Sequence, residues 1–251
     1  MEDNQLEDGL MSLTDHLEEL RKRIIYAALA ILVPTAIAFF FSDFLLGLLV
    51  YPSGGLQLKA FGLMDGFMIK WTISLVAGIV VAFPVWAYQV YQYVSPGLLD
   101  SERRAIFPPL VGAAFLFILG AVFGYYMLSG MIRVLIQLFP KDVQFLPAAD
   151  EYISFVLFFM LACGMAFQLP TLIMILARLH LVDSTLLRKQ RRYAYFILFV
   201  FAEVITPVSD PIVAPLTVLV PLVLLYEMSV ALVRRLEVRR AREVAKLPSG
   251  S

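Results

Sequence analysis

The chain has 251 residues, of which 61% are hydrophobic and 16% charged, and its mean hydropathy is +0.83. A soluble domain carries roughly 45–50% apolar and about 25% charged residues, so this composition excludes one and defines a polytopic membrane protein of one domain. Twenty basic and twenty acidic side chains cancel, and no nucleic-acid partner is expected. The single cysteine, Cys163, excludes an intramolecular disulfide and a cysteine-built metal site, and two distant histidines, His16 and His180, make a histidine metal centre improbable.

Residues 1–23 are polar. Ser12 followed by Asp15 fits a capping box, which predicts a helix from about Leu13. Leu13, Leu17, Leu20 and Ile24 then fall on one helical face, with Glu18 and Glu19 off it and the basic trio Arg21, Lys22 and Arg23 one turn later. The first apolar run, Ile24 to Phe41, holds Pro34 and reads as a span. A cleaved signal peptide is rejected, because the lead is long and acidic and more spans follow.

Phe44 to Tyr51 is apolar but too short to cross, and is assigned to the interface. Met68 to Tyr93 is the second span, with Pro84 inside it, Trp71 at one boundary and Trp86, Tyr88, Tyr91 and Tyr93 at the other. The third runs from Ala105 to Met127; its apolar pattern continues to Phe139, so the far end should project or break near Ser129-Gly130. The fourth runs from Tyr152 to Leu176 with Gln168 and Pro170 inside. The fifth, Tyr193 to Ile205, reaches only about 22 Å even when counted to Pro207, against roughly 30 Å of hydrocarbon. The sixth, Ile212 to Val233, carries Pro215 and Pro221, and residues 234–251 form a basic tail. The expected fold is an all-α integral membrane bundle of six transmembrane helices with a short fifth and sixth.

Sixteen of the twenty Lys and Arg residues fall on one side of this arrangement; Lys59, Lys70, Arg133 and Lys141 fall on the other. The positive-inside rule then puts both termini in the cytoplasm.

Phosphate-binding glycine loops, His-Glu-x-x-His sites, Gly-x-Ser-x-Gly elbows and intramembrane aspartate pairs are all missing from the sequence, which argues against an enzyme. Glu18 and Glu19 have two readings. They are ordinary i,i+4 partners of Lys22 and Arg23, worth a few tenths of a kcal/mol each, or they receive an external cation beside the anionic membrane surface. Glu102, in Ser101-Glu102-Arg103-Arg104, lies on the same side; it is either the neighbour of a topology-setting basic pair or a second ligand for a dibasic group, for which arginine suits best. Glu203, mid-span, costs about 2.5–3.5 kcal/mol to insert and must face protein or water, or be protonated.

These pieces together resemble the TatC family of the twin-arginine protein translocase. The matching stretches are His16-Leu17-Glu18-Glu19-Leu20-Arg21-Lys22-Arg23, Phe83-Pro84-Val85-Trp86, Ser95-Pro96-Gly97-Leu98 with Ser101-Glu102-Arg103-Arg104, Tyr152-Ile153-Ser154-Phe155, Ala166-Phe167-Gln168-Leu169-Pro170, Thr206-Pro207, and Pro221 through Tyr226-Glu227, in family order. The resemblance implies a non-enzymatic receptor in the bacterial cytoplasmic membrane for folded proteins whose signal peptides carry two consecutive arginines. It implies single-span TatA and TatB partners, a homo-oligomer in the complex, no cofactor, and transport drawing on the proton-motive force. By motif position Glu19 and Glu102 would bind the signal, Glu18 fills a variable position, and Arg21 would shape the site. Thr206 matches a polar partner-contact position on the short fifth and sixth spans.

The chain departs from the family at Gln168, usually Glu, and at Pro215, often Gln. Glu203 is a candidate to restore the missing carboxylate, which requires it to meet Gln168. The alternative function is a six-span proton-coupled secondary transporter using Glu203, but the two halves show no repeat of the kind such transporters often carry.

Overall fold

The computed structural model describes residues 13–54, 57–94, 100–137, 146–206 and 213–246. Among these the chain forms nine α-helices and one short 3-10 turn, Tyr51–Ser53; its β-structure is a single bridge. In order the helices are α1 (Leu13–Phe40), α2 (Ser42–Val50), α3 (Asp65–Val94), α4 (Asp100–Gln137), α5 (Ala149–Ala166), α6 (Leu169–Arg178), α7 (Ser184–Lys189), α8 (Arg191–Ile205) and α9 (Val213–Lys246). Ser12, the first half of the capping box, lies outside the described residues.

Five segments are long and apolar enough to cross a membrane: His16–Phe40, Asp65–Val94, Pro108–Arg133, Ala149–Arg178 and Pro215–Arg240. With 15 residues, α8 is shorter than this class, as its sequence predicts. Apolar side chains have no water to escape inside a bilayer, so helix association there relies on close packing. The sequence supplies small residues for it. On α4, Gly120 and Gly124 sit one turn apart against α5, where a Cβ on Gly120 would come within 2.6 Å of the Cys163 carbonyl. On α3, a Cβ at Gly78 would collide with Thr35 Oγ1 and approach the Ile31 carbonyl and Thr35 nitrogen of α1 to 2.9 Å.

α1 and α3 run antiparallel along their whole length. His16 stacks on Tyr93 at one end, ring centroids 4.6 Å apart, and Phe39 lies 6.4 Å from Phe67 at the other. The core passes from this pair through the buried Phe83 and Phe117, stacked at 4.0 Å, to the buried Ile153, Val156 and Phe159 of α5. The end of the bundle away from the start of α1 is closed by α2. Its last carbonyls, unpaired within the helix, accept hydrogen bonds from Tyr125 on α4 (2.9 Å to Leu48) and Tyr152 on α5 (3.1 Å to Leu49). Lys70 joins α2 to α3 through Asp43 at 2.8 Å, and two backbone bonds lace Lys59 to Pro147 and Ala149.

Of the two outcomes open for the far end of α4, the helix runs unbroken through Ser129-Gly130. Two features differ in detail from the sequence reading. The run from Tyr152 to Leu176 is two helices, because Pro170 has no N–H to extend α5; the chain closes α5 at Phe167, and Pro170 sits in the first turn of α6, where its missing donor costs nothing. α9 continues as helix past Val233 to Lys246, so this much of the basic tail is structured.

Candidate functional site

The acidic cluster read from the sequence lies where α1 begins and α3 ends. Glu19 is half-buried, its side chain 22% exposed, and its Oε1 accepts Arg23 Nε at 2.7 Å. Arg23 in turn donates to Gln89 Oε1 of α3 at 3.1 Å. The antiparallel packing of α1 on α3 thus fixes both the height and the direction of the Glu19 carboxylate. Glu18 points the other way, 62% exposed and paired with Lys22 at 2.9 Å. Arg21 is exposed beside them. Leu20, Arg23, Ile24 and Ala27 of α1, with Trp86, Gln89, Val90 and Tyr93 of α3, line a cleft of about 140 Å³ that includes Arg23, the partner of Glu19. Its exposed lining is apolar.

Glu102 stands in the first turn of α4. Residues 95–99, five in number and outside the described set, join α3 to α4, so Val94 and Asp100 are at most about 20 Å apart. Both acid-bearing segments therefore share one end of the bundle. Both i,i+4 pairs of the first reading are formed, and neither exhausts a carboxylate's capacity, which reaches about four acceptor positions.

The membrane polar residues do not form a group. Gln168 caps the break between α5 and α6, and its Nε2 donates to the Ala113 carbonyl of α4 at 3.0 Å. Glu203 is exposed on α8, and among the described residues no hydrogen bond joins it to Gln168. Thr206 is buried at 3% exposure, with its hydroxyl donating to Ala202 O at 2.6 Å, and Pro215 is fully buried. The exposed face of α8 is instead Phe196, Ile197, Val200, Glu203 and Val204.

Sequence reasoning missed the partners of Glu227. It accepts Tyr195 Oη at 2.7 Å and Arg191 Nη2 at 2.5 Å, pinning α8 to α9 at the end where Arg191 begins α8. The cue was present: Arg191 and Tyr195 are one turn apart on one face. Among the described residues no three His, Cys, Asp or Glu side chains group to hold a metal.

A bundle of long apolar helices, closed at one end and carrying ordered acids at the other, defines a multi-pass membrane protein. The family model for the Sec-independent protein translocase protein TatC matches residues 15–233. The chain belongs to the TatC family and is a component of the twin-arginine translocase. Similar relatives include the TatC proteins of Deinococcus radiodurans, 38% identical over 88% of this chain and 85% of that one, and of Carboxydothermus hydrogenoformans, 33% identical over 90% and 93%. TatCy of Bacillus subtilis is 35% identical over 93% of this chain and 92% of its own. A crystal structure of the twin-arginine translocase receptor TatC in detergent superposes with a TM-score of 0.75 at 33% identity, covering 87% of this chain and 99% of that one. The transporter alternative is set aside.

Proposed function

We propose that this chain receives twin-arginine signal peptides at Glu19 and Glu102, with Glu18 as an accessory acid and Arg21 shaping the site. One observation carries the reading: the half-buried Glu19 carboxylate already holds a guanidinium, that of Arg23, in a fixed position above an apolar cleft. A signal arginine would exchange for Arg23, and the apolar part of the signal would continue along the bundle. Two acids suit two arginines because each planar guanidinium forks onto one carboxylate.

The reading includes a single-domain bundle of six spans, with α8 and the first part of α9 as the short fifth and sixth and the acids at the cytoplasmic mouth. Both termini face the cytoplasm of a bacterium. Partner subunits of the TatA and TatB type would dock on the short α8–α9 pair, and the chain would act as a homo-oligomer in a complex drawing on the proton-motive force. Since Thr206 and Pro215 are buried, they would serve that surface by setting the shape of the α8–α9 turn, while Glu203 offers the exposed polar contact.

The test is binding of a twin-arginine signal peptide to the purified chain carrying Glu19→Ala, Glu102→Ala or both, with a twin-lysine peptide for comparison. Each single variant is expected to weaken binding about tenfold or more, the scale of a lost charge-assisted hydrogen bond. Unchanged binding by both singles and the double would remove the assignment.

A further inference from the structure

A second charged feature lies on the same end of the bundle and has the opposite sign. Arg234, Arg235, Arg239 and Arg242 share one face of α9, at offsets 0, 1, 5 and 8. Arg188 of α7 faces them across a cleft of about 580 Å³ that also includes Ala231 and Val238. All five arginines are exposed. The nearby acids are engaged elsewhere. Both oxygens of Glu237 are taken by Ser184, Asp183 caps α7 through Leu186 N, and Glu227 holds Arg191 and Tyr195. Among the described residues none of the five has an ion-pair partner. Arginines gathered around one cleft without counter-charge among the described residues call for an anion.

The helix below the cleft says which kind. Val220, Leu224 and Met228, exposed at 57%, 64% and 43%, fall four residues apart on α9 and lead to Ala231 and then Arg235. One face of a single helix is thus apolar through its first half and turns basic past Val233. We propose that this face binds an anionic glycerophospholipid, its acyl chains along Val220, Leu224 and Met228 and its phosphate among Arg188, Arg235 and Arg239. With five arginines around it, the cleft suits a lipid with two phosphodiesters better than one. A free phosphate would use the arginines and leave the stripe without a role. The cationic end of a twin-arginine signal would be repelled here, so the lipid site and the acidic mouth are separate.

The purified, delipidated chain is offered diphosphatidylglycerol, phosphatidylglycerol or phosphatidylcholine, and the bound fraction is read by native mass spectrometry. The expected order is diphosphatidylglycerol, then phosphatidylglycerol, then phosphatidylcholine. Replacing Arg188, Arg235 and Arg239 together by Gln should cut the anionic preference about tenfold or more, since each basic residue near the surface counts for roughly 1 kcal/mol. Lys189→Gln with Arg192→Gln, outside the cleft, should leave it in place. The three positions as Lys should keep part of it, and a matching melting temperature verifies the fold of the Gln variant. The proposal is overturned if the control pair lowers the preference as much, if the cleft variant keeps it, or if millimolar inorganic phosphate displaces the lipid while phosphatidylcholine binds equally well.

Discussion

His180, just past α6, has a φ of +57°, the one positive value outside glycine among the described residues. Two bonds explain it: His180 N to Ala177 O at 3.3 Å and Leu181 N to Leu176 O at 3.0 Å, the paired closure that ends a helix in a left-handed residue. Glycine is the residue that fits, since a left-handed side chain costs roughly 1–2 kcal/mol. The Arg240 guanidinium recoups part of this, standing 3.0 Å from His180 Nε2 and reaching the Ala177 and Arg178 carbonyls. His180→Gly should therefore raise stability by about 0.5–1 kcal/mol after the entropy of glycine is counted, and His180→Val should lower it. Thermal unfolding in detergent decides; a lower midpoint for the glycine variant would contradict the account. Three residues on, Asp183 accepts Leu186 N at 2.6 Å and so caps α7. That backbone bond, with a further one from the Thr185 hydroxyl, holds the carboxyl below its ordinary value. Its folded pKa being depressed, the stabilisation is present above the unfolded pKa of about 3.9 and is lost as pH falls through the folded value. Asp183→Asn keeps the acceptor without the charge. The wild-type advantage over it should hold from pH 7 to 5 and shrink below about pH 4; an advantage that grows on acidification would refute the sign.

At the scale of elements, the acidic mouth depends on how α1 lies on α3. Gly78 sits where the two backbones are nearest, facing Thr35, which is 3% exposed and bonded back to Ile31 O at 2.8 Å. Gly78→Ala must push α1 outward, and overpacking of this kind costs about 1–3 kcal/mol. The same displacement lengthens the Arg23–Gln89 bond that orients Glu19, so signal-peptide affinity should fall along with the melting temperature. Thr35→Ala placed on top of Gly78→Ala removes the Oγ1 collision and should recover part of both, the Ile31 carbonyl and Thr35 nitrogen still standing at 2.9 Å. If the double variant is no better than the single, the contact is not what limits the packing. Periodicity foretold α1, with Glu18 and Glu19 off its apolar face, and the long apolar helices, because each is a local pattern. It was silent on the tyrosine tethers of α2, which join residues 77 and 103 positions apart and depend on which helices become neighbours. The break at Phe167 was written in Pro170, yet hydropathy averaged over a span does not register a single missing donor. Gly120 and Gly124 carried a legible close-packing signal that the search for chemistry passed over.

Across the whole molecule, charge and shape are arranged along one axis. The end where α2, Asp43–Lys70 and the Lys59–Ala148 bridge form a lid carries few charges; the other gathers the acids of α1, the ring of arginines and the Arg191–Glu227 pair. The positive-inside rule would keep the basic end in the cytoplasm, and the native thiol helps to test it: Cys163 is 2% exposed and shielded from a water-soluble maleimide. Leu63, fully exposed in the segment before α3, and Lys189, exposed in α7, are the sites to replace by cysteine. In intact cells an impermeant maleimide should label Leu63→Cys, while Lys189→Cys should require the membrane to be opened. The reverse pattern would turn the bundle over and put Glu19 on the side where no cytoplasmic signal peptide could reach it. Labelling of both from outside would mean that one of α3, α4 and the α5–α6 run, which lie between the two sites, does not cross. The topology and the receptor reading are thus tested by the same two thiols, because a carboxylate can select a cationic signal only on the face where that signal is presented.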